Sequence, residues 1–131
     1  MKKIIQAEEV AMLGITIYTL YLLKADWWIY LLLFCGPDIS MLGYAAGNKA
    51  GAISYNLFHH KAIAVAIFLI GLILQNTWFE LTGLILFGHS CMDRMLGYGL
   101  KHFTGFHFTH LGQIGRVKSN PILNKTSTTI K

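Results

Sequence analysis

The chain has 131 residues, of which 54% are hydrophobic and only 13% are charged. Ordinary soluble domains carry about 25% charged residues, so this composition disfavours a soluble enzyme domain and points to lipid as the solvent. The net charge of +5 comes without a pattern of basic and aromatic residues that would indicate nucleic-acid binding, and it suits an anionic lipid surface.

Uncharged runs along the chain predict four membrane spans. A bilayer core of about 30 Å needs about 20 mainly apolar residues at 1.5 Å rise each, which places the spans near 8–24, 27–47, 57–75 and 78–99. The second and fourth contain ionisable residues, so we predict an all-α fold, a four-helix transmembrane bundle with a polar interior, formed by a single domain over residues 1–118. A small, very apolar soluble helical bundle is the alternative.

The distribution of positive charge predicts the orientation of this bundle. Four spans place both termini on one side, and all but one of the 11 Lys and Arg residues, Lys24, fall on that side. The positive-inside rule then makes the termini and a loop at 48–56 cytoplasmic in a bacterial inner membrane, with the tryptophans at the outer interface. Residues 101–116 are too polar to span and predict a cytoplasmic interfacial segment. The polar tail 119–131 is predicted to be flexible.

Several polar residues of the predicted spans share one depth. Counted inward from the outer ends, Asp38, His59, His89, Asp93 and Glu9 all lie about 17–25 Å deep. His89 and Asp93 are four residues apart and therefore share a helix face. We expect these side chains to converge in the cytoplasmic half of the bundle.

Metal sites in helix bundles are formed by carboxylates and imidazoles that lie at the same depth. Asp38, His59, His89 and Asp93 would suit Zn²⁺, Mn²⁺ or Fe²⁺. The alternative is a self-satisfied network, in which an aspartate pairs with Arg94 and the histidines bond across helices without a metal. Pro37 is expected to free a backbone carbonyl and to bend the second helix at this level.

The remaining histidines fit a ligand role less well. His60 lies off the His59 face, and His102, His107 and His110 alternate with phenylalanines in the interfacial segment, where surface packing is expected. A haem held by a pair of axial histidines is a third possibility. The sequence has no C-x-x-C-H motif.

Four strings in the chain, PDISMLGYAAG, GAISYNLFHH, DRMLGYGLK and THLGQIGR, resemble the domain of unknown function 4260 family of small bacterial membrane proteins. The resemblance implies a four-helix membrane protein and no particular activity. It includes an acidic residue in the first helix, for which Glu9 is chosen over Glu8. Its motifs also fall on Pro37, Asp38, Tyr44, Tyr55, Asn56, His59, His89, Asp93, Arg94, Gly97, Tyr98, Gly99, Lys101, Thr109 and His110.

More distantly, the order of Asp38, His59, His89 and Asp93 is similar to that in membrane-bound metal-dependent hydrolases of the inner membrane, which act on lipid-like or phosphoester substrates. Ser40 replaces the second aspartate of their P-D-x-D motif. The similarity therefore implies one metal with three or four protein ligands and an open position, and not a two-metal centre.

These observations lead to two functional hypotheses. In the first, the chain is a metal-dependent hydrolase of amphiphilic substrates, Arg94 and Lys101 neutralise an anionic headgroup, and Glu9 serves as general base or supports a histidine. In the second, it is a non-enzymatic binding or assembly protein whose polar network fixes helix register. Glycines along the second and fourth spans would then permit close helix approach in a homo-oligomer.

Overall fold

The computed structural model describes residues 1–104 and 106–114, and the predicted tail at 119–131 lies outside them. Its helices are α1 Lys2–Leu22, α2 Trp27–Cys35, a 3₁₀ helix Pro37–Ala46, α3 Asn48–Phe58, α4 Lys61–Leu74 and α5 Thr77–Leu96. Two short antiparallel strands follow, β1 Phe108–Thr109 and β2 Gly112–Gln113, with Phe108 opposite Gln113. The predicted all-α class is confirmed.

Helix α5 lies at the centre of the bundle and packs against α1, α2 and α4. Glycines allow these close approaches, because a Cβ atom on Gly83 would come within 2.6 Å of the Phe68 nitrogen, and one on Gly88 within 2.8 Å of Leu33 Cδ1. Both glycines are thus used for packing inside one chain. The apolar core lies between the same helices and consists of Leu13, Leu20, Ile29, Leu33, Leu81, Leu84 and Cys91.

The second predicted span is broken at Gly36 and Pro37. Proline has no N–H to continue the α-helical hydrogen bonds, so α2 ends at Cys35 and the chain continues as the 3₁₀ helix. The loop predicted at 48–56 is wrong, because this stretch is helix α3, whose buried Gly51, Ala52 and Tyr55 form one helical face. The third predicted span accordingly begins at Lys61 and not at residue 57.

Length and apolar composition identify fewer spans than the sequence predicts. One helical stretch, Trp27–Ala46, is long and apolar enough to cross a membrane. A second candidate span is present if α3 and α4, which are bent by 47° relative to one another, form one broken span. The four-span topology therefore stays a prediction.

Short connections precede α2 and α5 at the same end of the bundle. The rings of Trp28 and Trp78, which stand in the first turns of these two helices, lie 6.4 Å apart. Near the opposite end, the segment after α5 folds back on itself. Here the His102 N–H donates to the Phe108 carbonyl over 2.8 Å, and the His110 N–H donates to the Leu100 carbonyl over 3.1 Å.

Candidate metal centre

Four polar side chains from three elements meet between α3, α5 and the 3₁₀ helix. Asp38 stands in the first turn of the 3₁₀ helix, His59 caps the C-terminus of α3, and His89 and Asp93 lie on α5. His89 Nε2 is 3.2 Å from Asp38 Oδ1 and 3.7 Å from Asp93 Oδ1, and His59 Nε2 is 3.4 Å from Asp93 Oδ2 and 3.8 Å from Asp38 Oδ1. The structure thus brings together all four residues predicted as ligands.

The cluster is closed on one side and open on the other. His89 is fully buried, and His59 and Asp93 are buried, whereas half of the Asp38 side chain is exposed. One potential ligand atom each from Asp38, His59 and His89 lies within 4.8 Å of the others. A cation held here would have protein ligands behind it and access from the Asp38 side.

Backbone carbonyls determine which nitrogen of each imidazole carries the proton. His59 Nδ1 donates to the Tyr55 carbonyl over 2.8 Å, and His89 Nδ1 donates to the Leu33 carbonyl over 2.9 Å. A carbonyl only accepts, so both Nδ1 atoms are protonated, and each ring, when it is neutral, presents its Nε2 lone pair to the centre of the cluster. This is the arrangement that metal-binding histidines adopt, with the second ring N–H held by a backbone or carboxylate oxygen.

Pro37 explains why the Leu33 carbonyl is free to accept this bond. In a continuous α-helix this carbonyl would receive the N–H of residue 37, and proline has none. The predicted carbonyl-freeing role of Pro37 fits this geometry, since His89 uses the carbonyl that proline leaves free.

The lone pairs and carboxylates face one another without a positive charge between them. His59 Nε2 is buried and has no hydrogen-bond partner within the described part of the chain. Two lone pairs and two carboxylates at these distances repel one another unless protons or a cation lie between them. The cluster is therefore electrostatically incomplete when both histidines are neutral.

Tyr55 supports this cluster in two ways. Its hydroxyl donates to Asp93 Oδ2 over 2.5 Å, and its ring stacks on that of His59 with 3.8 Å between centroids. Hydrogen bonds of this kind orient the carboxylates that ligate metals. Tyr55 is one of the positions on which the family motifs fall, and the structure places it in direct contact with two of the four clustered residues.

Lys101 lies behind Tyr55 in an aromatic pocket. Its ammonium is 4.1 Å from the Phe106 ring centroid and 5.1 Å from that of Tyr55. Asn56 holds the backbone of Lys101 in place, since its side chain accepts the Lys101 N–H and donates to the Lys101 carbonyl. Burial lowers the pKa of Lys101 below its ordinary value, and the negative charge of Asp93 opposes this effect.

Glu9 lies outside the cluster. Its carboxylate accepts a hydrogen bond from Lys61 on α4, and none of the chain's six histidines, all within the described residues, approaches it within 4.0 Å. Glu9 therefore partners Lys61, whereas the sequence analysis expects a histidine. The sequence did not predict that Lys61 pairs with an interior carboxylate. Its position at the start of the otherwise apolar helix α4 was the feature that could have indicated this.

Arg94 also differs from the expectation of an ion pair. Within the described residues it forms no salt bridge with Asp38 or Asp93, and its Nη1 lies 3.4 Å from Nε2 of His110. Tyr98 is exposed, and its N–H caps α5 at the Asp93 carbonyl. Tyr44 packs its ring on Gly51 and, edge to face, on Phe106.

The geometry does not accommodate the haem alternative. The rings of His59 and His89 lie edge to face with centroids 4.9 Å apart, and the carboxylates of Asp38 and Asp93 occupy the space next to them. No porphyrin plane fits between these two imidazoles as axial ligands.

A protein-family model described as a domain of unknown function, DUF4260, matches residues 2–114 of the chain. The match covers most of the sequence and contains every residue of the cluster, so the chain belongs to this family. No curated protein matches the chain significantly. No solved structure does so either.

Proposed function

We propose that the protein is an integral membrane metal-dependent hydrolase of amphiphilic substrates, with one divalent cation held by Asp38, His59, His89 and Asp93. The observation that carries this proposal is the orientation of the two buried imidazoles. Both are fixed by backbone carbonyls so that their Nε2 lone pairs point at two carboxylates.

Charge balance supports a divalent cation. Two carboxylates and two neutral imidazoles carry a net charge of −2, which one divalent cation cancels. Two bound protons would cancel it as well, either as two cationic rings whose centroids are 4.9 Å apart or as two protonated carboxyl groups. Nitrogen and carboxylate ligands in this number suit Zn²⁺, Mn²⁺ or Fe²⁺.

The surrounding residues support hydrolysis. A divalent cation lowers the pKa of a bound water toward about 7 and so supplies a nucleophile at neutral pH. The exposed side of Asp38 admits water and substrate, Tyr55 fixes Asp93, and the ammonium of Lys101 adds positive charge next to the cluster. Arg94 lies one residue beyond Asp93 and adds a second positive charge at this end of the bundle.

The distribution of polarity supports a membrane location. Inside the bundle lie Glu9, His59, His89, Asp93 and Lys101, while large apolar side chains cover its outside. The outward residues of α4 show this clearly and include Val65, Leu69, Ile70, Leu72, Ile73 and Leu74. Such an exterior suits acyl chains, and with the positive-inside rule it supports the multi-pass topology with cytoplasmic termini.

Metal analysis of the detergent-purified protein tests the proposal. We expect about one equivalent of Zn, Mn or Fe per chain, lost in His59→Ala and His89→Ala. His60→Ala is the matched control, because His60 neighbours His59 in sequence and is exposed. Metal that is absent from a folded wild-type protein, or that persists in both cluster variants, would remove this function.

The second candidate is a non-enzymatic binding or assembly protein. The Glu9–Lys61 pair favours it, because the pair shows that the bundle balances some interior charge without any ligand. In that case no metal binds, and Asp38→Asn folds normally since hydrogen bonding suffices. Retention of fold in Asp38→Asn together with a metal-free wild-type protein would select this candidate.

A further inference from the structure

A cavity with charged, polar and apolar lining residues includes Arg94, which directly follows Asp93 on α5. It has a volume of about 290 Å³ and lies between the start of α1 and the end of α5. The two helices are joined there by the Gln6 side chain, which donates to the Met95 carbonyl over 3.0 Å. The cavity is lined by Lys2, Ile5, Gln6, Arg94, Gly97 and Leu111.

Arg94 brings a positive charge to this cavity that no Asp or Glu side chain balances. All six Asp and Glu side chains lie within the described residues, and none of them comes within 4.0 Å of the Arg94 guanidinium. The C-terminal end of α5 favours a cation in its last turn. That effect explains a positive charge at this position, but it leaves the five guanidinium N–H donors to be satisfied.

His110 faces Arg94 with a donor and not with an acceptor. The Leu100 N–H donates to His110 Nδ1 over 2.9 Å, so Nδ1 carries the lone pair and the proton of the neutral ring lies on Nε2. Burial, and after it the charge of Arg94, lowers the pKa of His110 below its ordinary value, which favours this neutral ring. His110 Nε2–H and the Arg94 guanidinium therefore face each other as two donors 3.4 Å apart.

Two facing donors are satisfied by an acceptor between or beside them, and at this exposed site both water and an anion can supply it. We propose that Arg94 and His110 form an oxyanion subsite that binds a phosphate-type group, with Lys2 contributing a second positive charge from the wall of the cavity. The proposal rests on the proposed function and deepens it, because Arg94 directly follows the proposed ligand Asp93 on α5. The substrate class is then a phosphate-bearing amphiphile.

The chemistry of the donors favours phosphate over a simple carboxylate. A guanidinium presents parallel N–H groups that match two oxygens of one phosphate. The two cationic side chains at the cavity balance a dianion, and the imidazole N–H reaches a third oxygen. Ile5 and Leu111 make part of the wall apolar, as an amphiphilic ligand requires.

Phosphate binding by the full-length protein in detergent, measured by ³¹P NMR titration with inorganic phosphate after metal removal with EDTA, tests this subsite. We expect Arg94→Gln to weaken phosphate binding about tenfold or more, as the loss of one charged hydrogen-bond donor predicts. Lys49→Gln removes the same charge from the exposed start of α3 and should leave binding unchanged.

Two substitutions of His110 separate its donor from its structural role. His110→Asn retains an acceptor for the Leu100 N–H and removes the Nε2 donor, so it should fold normally and weaken phosphate binding. His110→Gln places an amide N–H near the Nε2 position and should retain more of the binding. Phosphate binding that is equal to wild type in folded Arg94→Gln and His110→Asn, or that is abolished by metal removal alone, would overturn the subsite.

The source of the phosphate is resolved by competition. Phosphatidic acid in mixed micelles should displace inorganic phosphate from the wild-type protein, whereas phosphatidylcholine and oleate should displace it weakly. Failure of phosphatidic acid to compete would contradict an amphiphilic ligand and assign the subsite to the free ion. Because these titrations use metal-free protein, they give a result for the subsite whether or not the metal centre is confirmed.

Discussion

Replacing Pro37 tests how the backbone prepares the metal centre. Pro37→Ala restores an N–H four residues after Leu33, and this N–H competes with His89 Nδ1 for the Leu33 carbonyl. If His89 loses this acceptor, its proton is free to move to Nε2, the atom that faces Asp38 and Asp93. The substitution therefore changes a metal ligand without touching its side chain.

The expected loss of metal affinity follows from the loss of the hydrogen bond that orients His89. Loss of a hydrogen bond that orients a metal-binding histidine typically costs 10–100-fold in metal affinity, which is about 1.4–2.7 kcal/mol. Zn²⁺ affinity of the detergent-purified protein, measured by competition with a chromophoric chelator, gives this number. ¹⁵N NMR of the imidazoles reports the accompanying change of tautomer at His89.

A matched control is available on the same 3₁₀ helix. Ile39 is exposed, so Ile39→Ala should leave both the metal affinity and the His89 tautomer unchanged. Wild-type affinity in a folded Pro37→Ala variant would refute the reasoning that the freed carbonyl orients His89.

Three further predictions concern neighbouring groups. Tyr55→Phe removes the hydrogen bond to Asp93 and should lower metal affinity about 10–100-fold in the same chelator assay, whereas an unchanged affinity would show that Asp93 needs no support. Glu9→Gln leaves Lys61 without its partner and should lower the free energy of unfolding of the bundle by about 3–5 kcal/mol, measured by thermal or SDS unfolding. Replacing both residues, in Glu9→Leu/Lys61→Met, should recover much of this loss. No recovery would mean that the pair contributes more than its charges. Metal affinity should fall as the pH is lowered, because protons compete with the metal for the histidine lone pairs, and an affinity that does not change down to pH 5 would contradict histidine ligation.

The sequence predicted the convergence of the four clustered residues because helix rise is nearly constant. Depth counting needs only this rise and the outer ends of the spans, and it placed Asp38, His89 and Asp93 at similar levels. The confirmed family membership agrees with the motifs that contain these residues.

Counting residues along a helix predicts the depth of a side chain but not the direction in which the helix turns it. Glu9 was expected to join the histidines but faces Lys61, because the packing of α1 against α5 and not its distance along the helix sets its direction. Helix α3 was missed because its short amphipathic stretch reads as a loop between two apolar runs. The tautomers of His89 and His110 depend on backbone groups of Leu33 and Leu100, which become neighbours only in the folded chain.

X-ray absorption spectroscopy of the purified protein tests whether Asp38, His59, His89 and Asp93 hold a metal. We expect one bound divalent metal per chain with an inner shell of nitrogen and oxygen ligands, at about 2.0–2.2 Å if the metal is zinc. The spectrum should contain the multiple-scattering pattern of two imidazoles and lose it in His59→Ala and His89→Ala. A folded protein that binds no metal, or a metal shell without imidazole that is unchanged in both variants, would contradict the account.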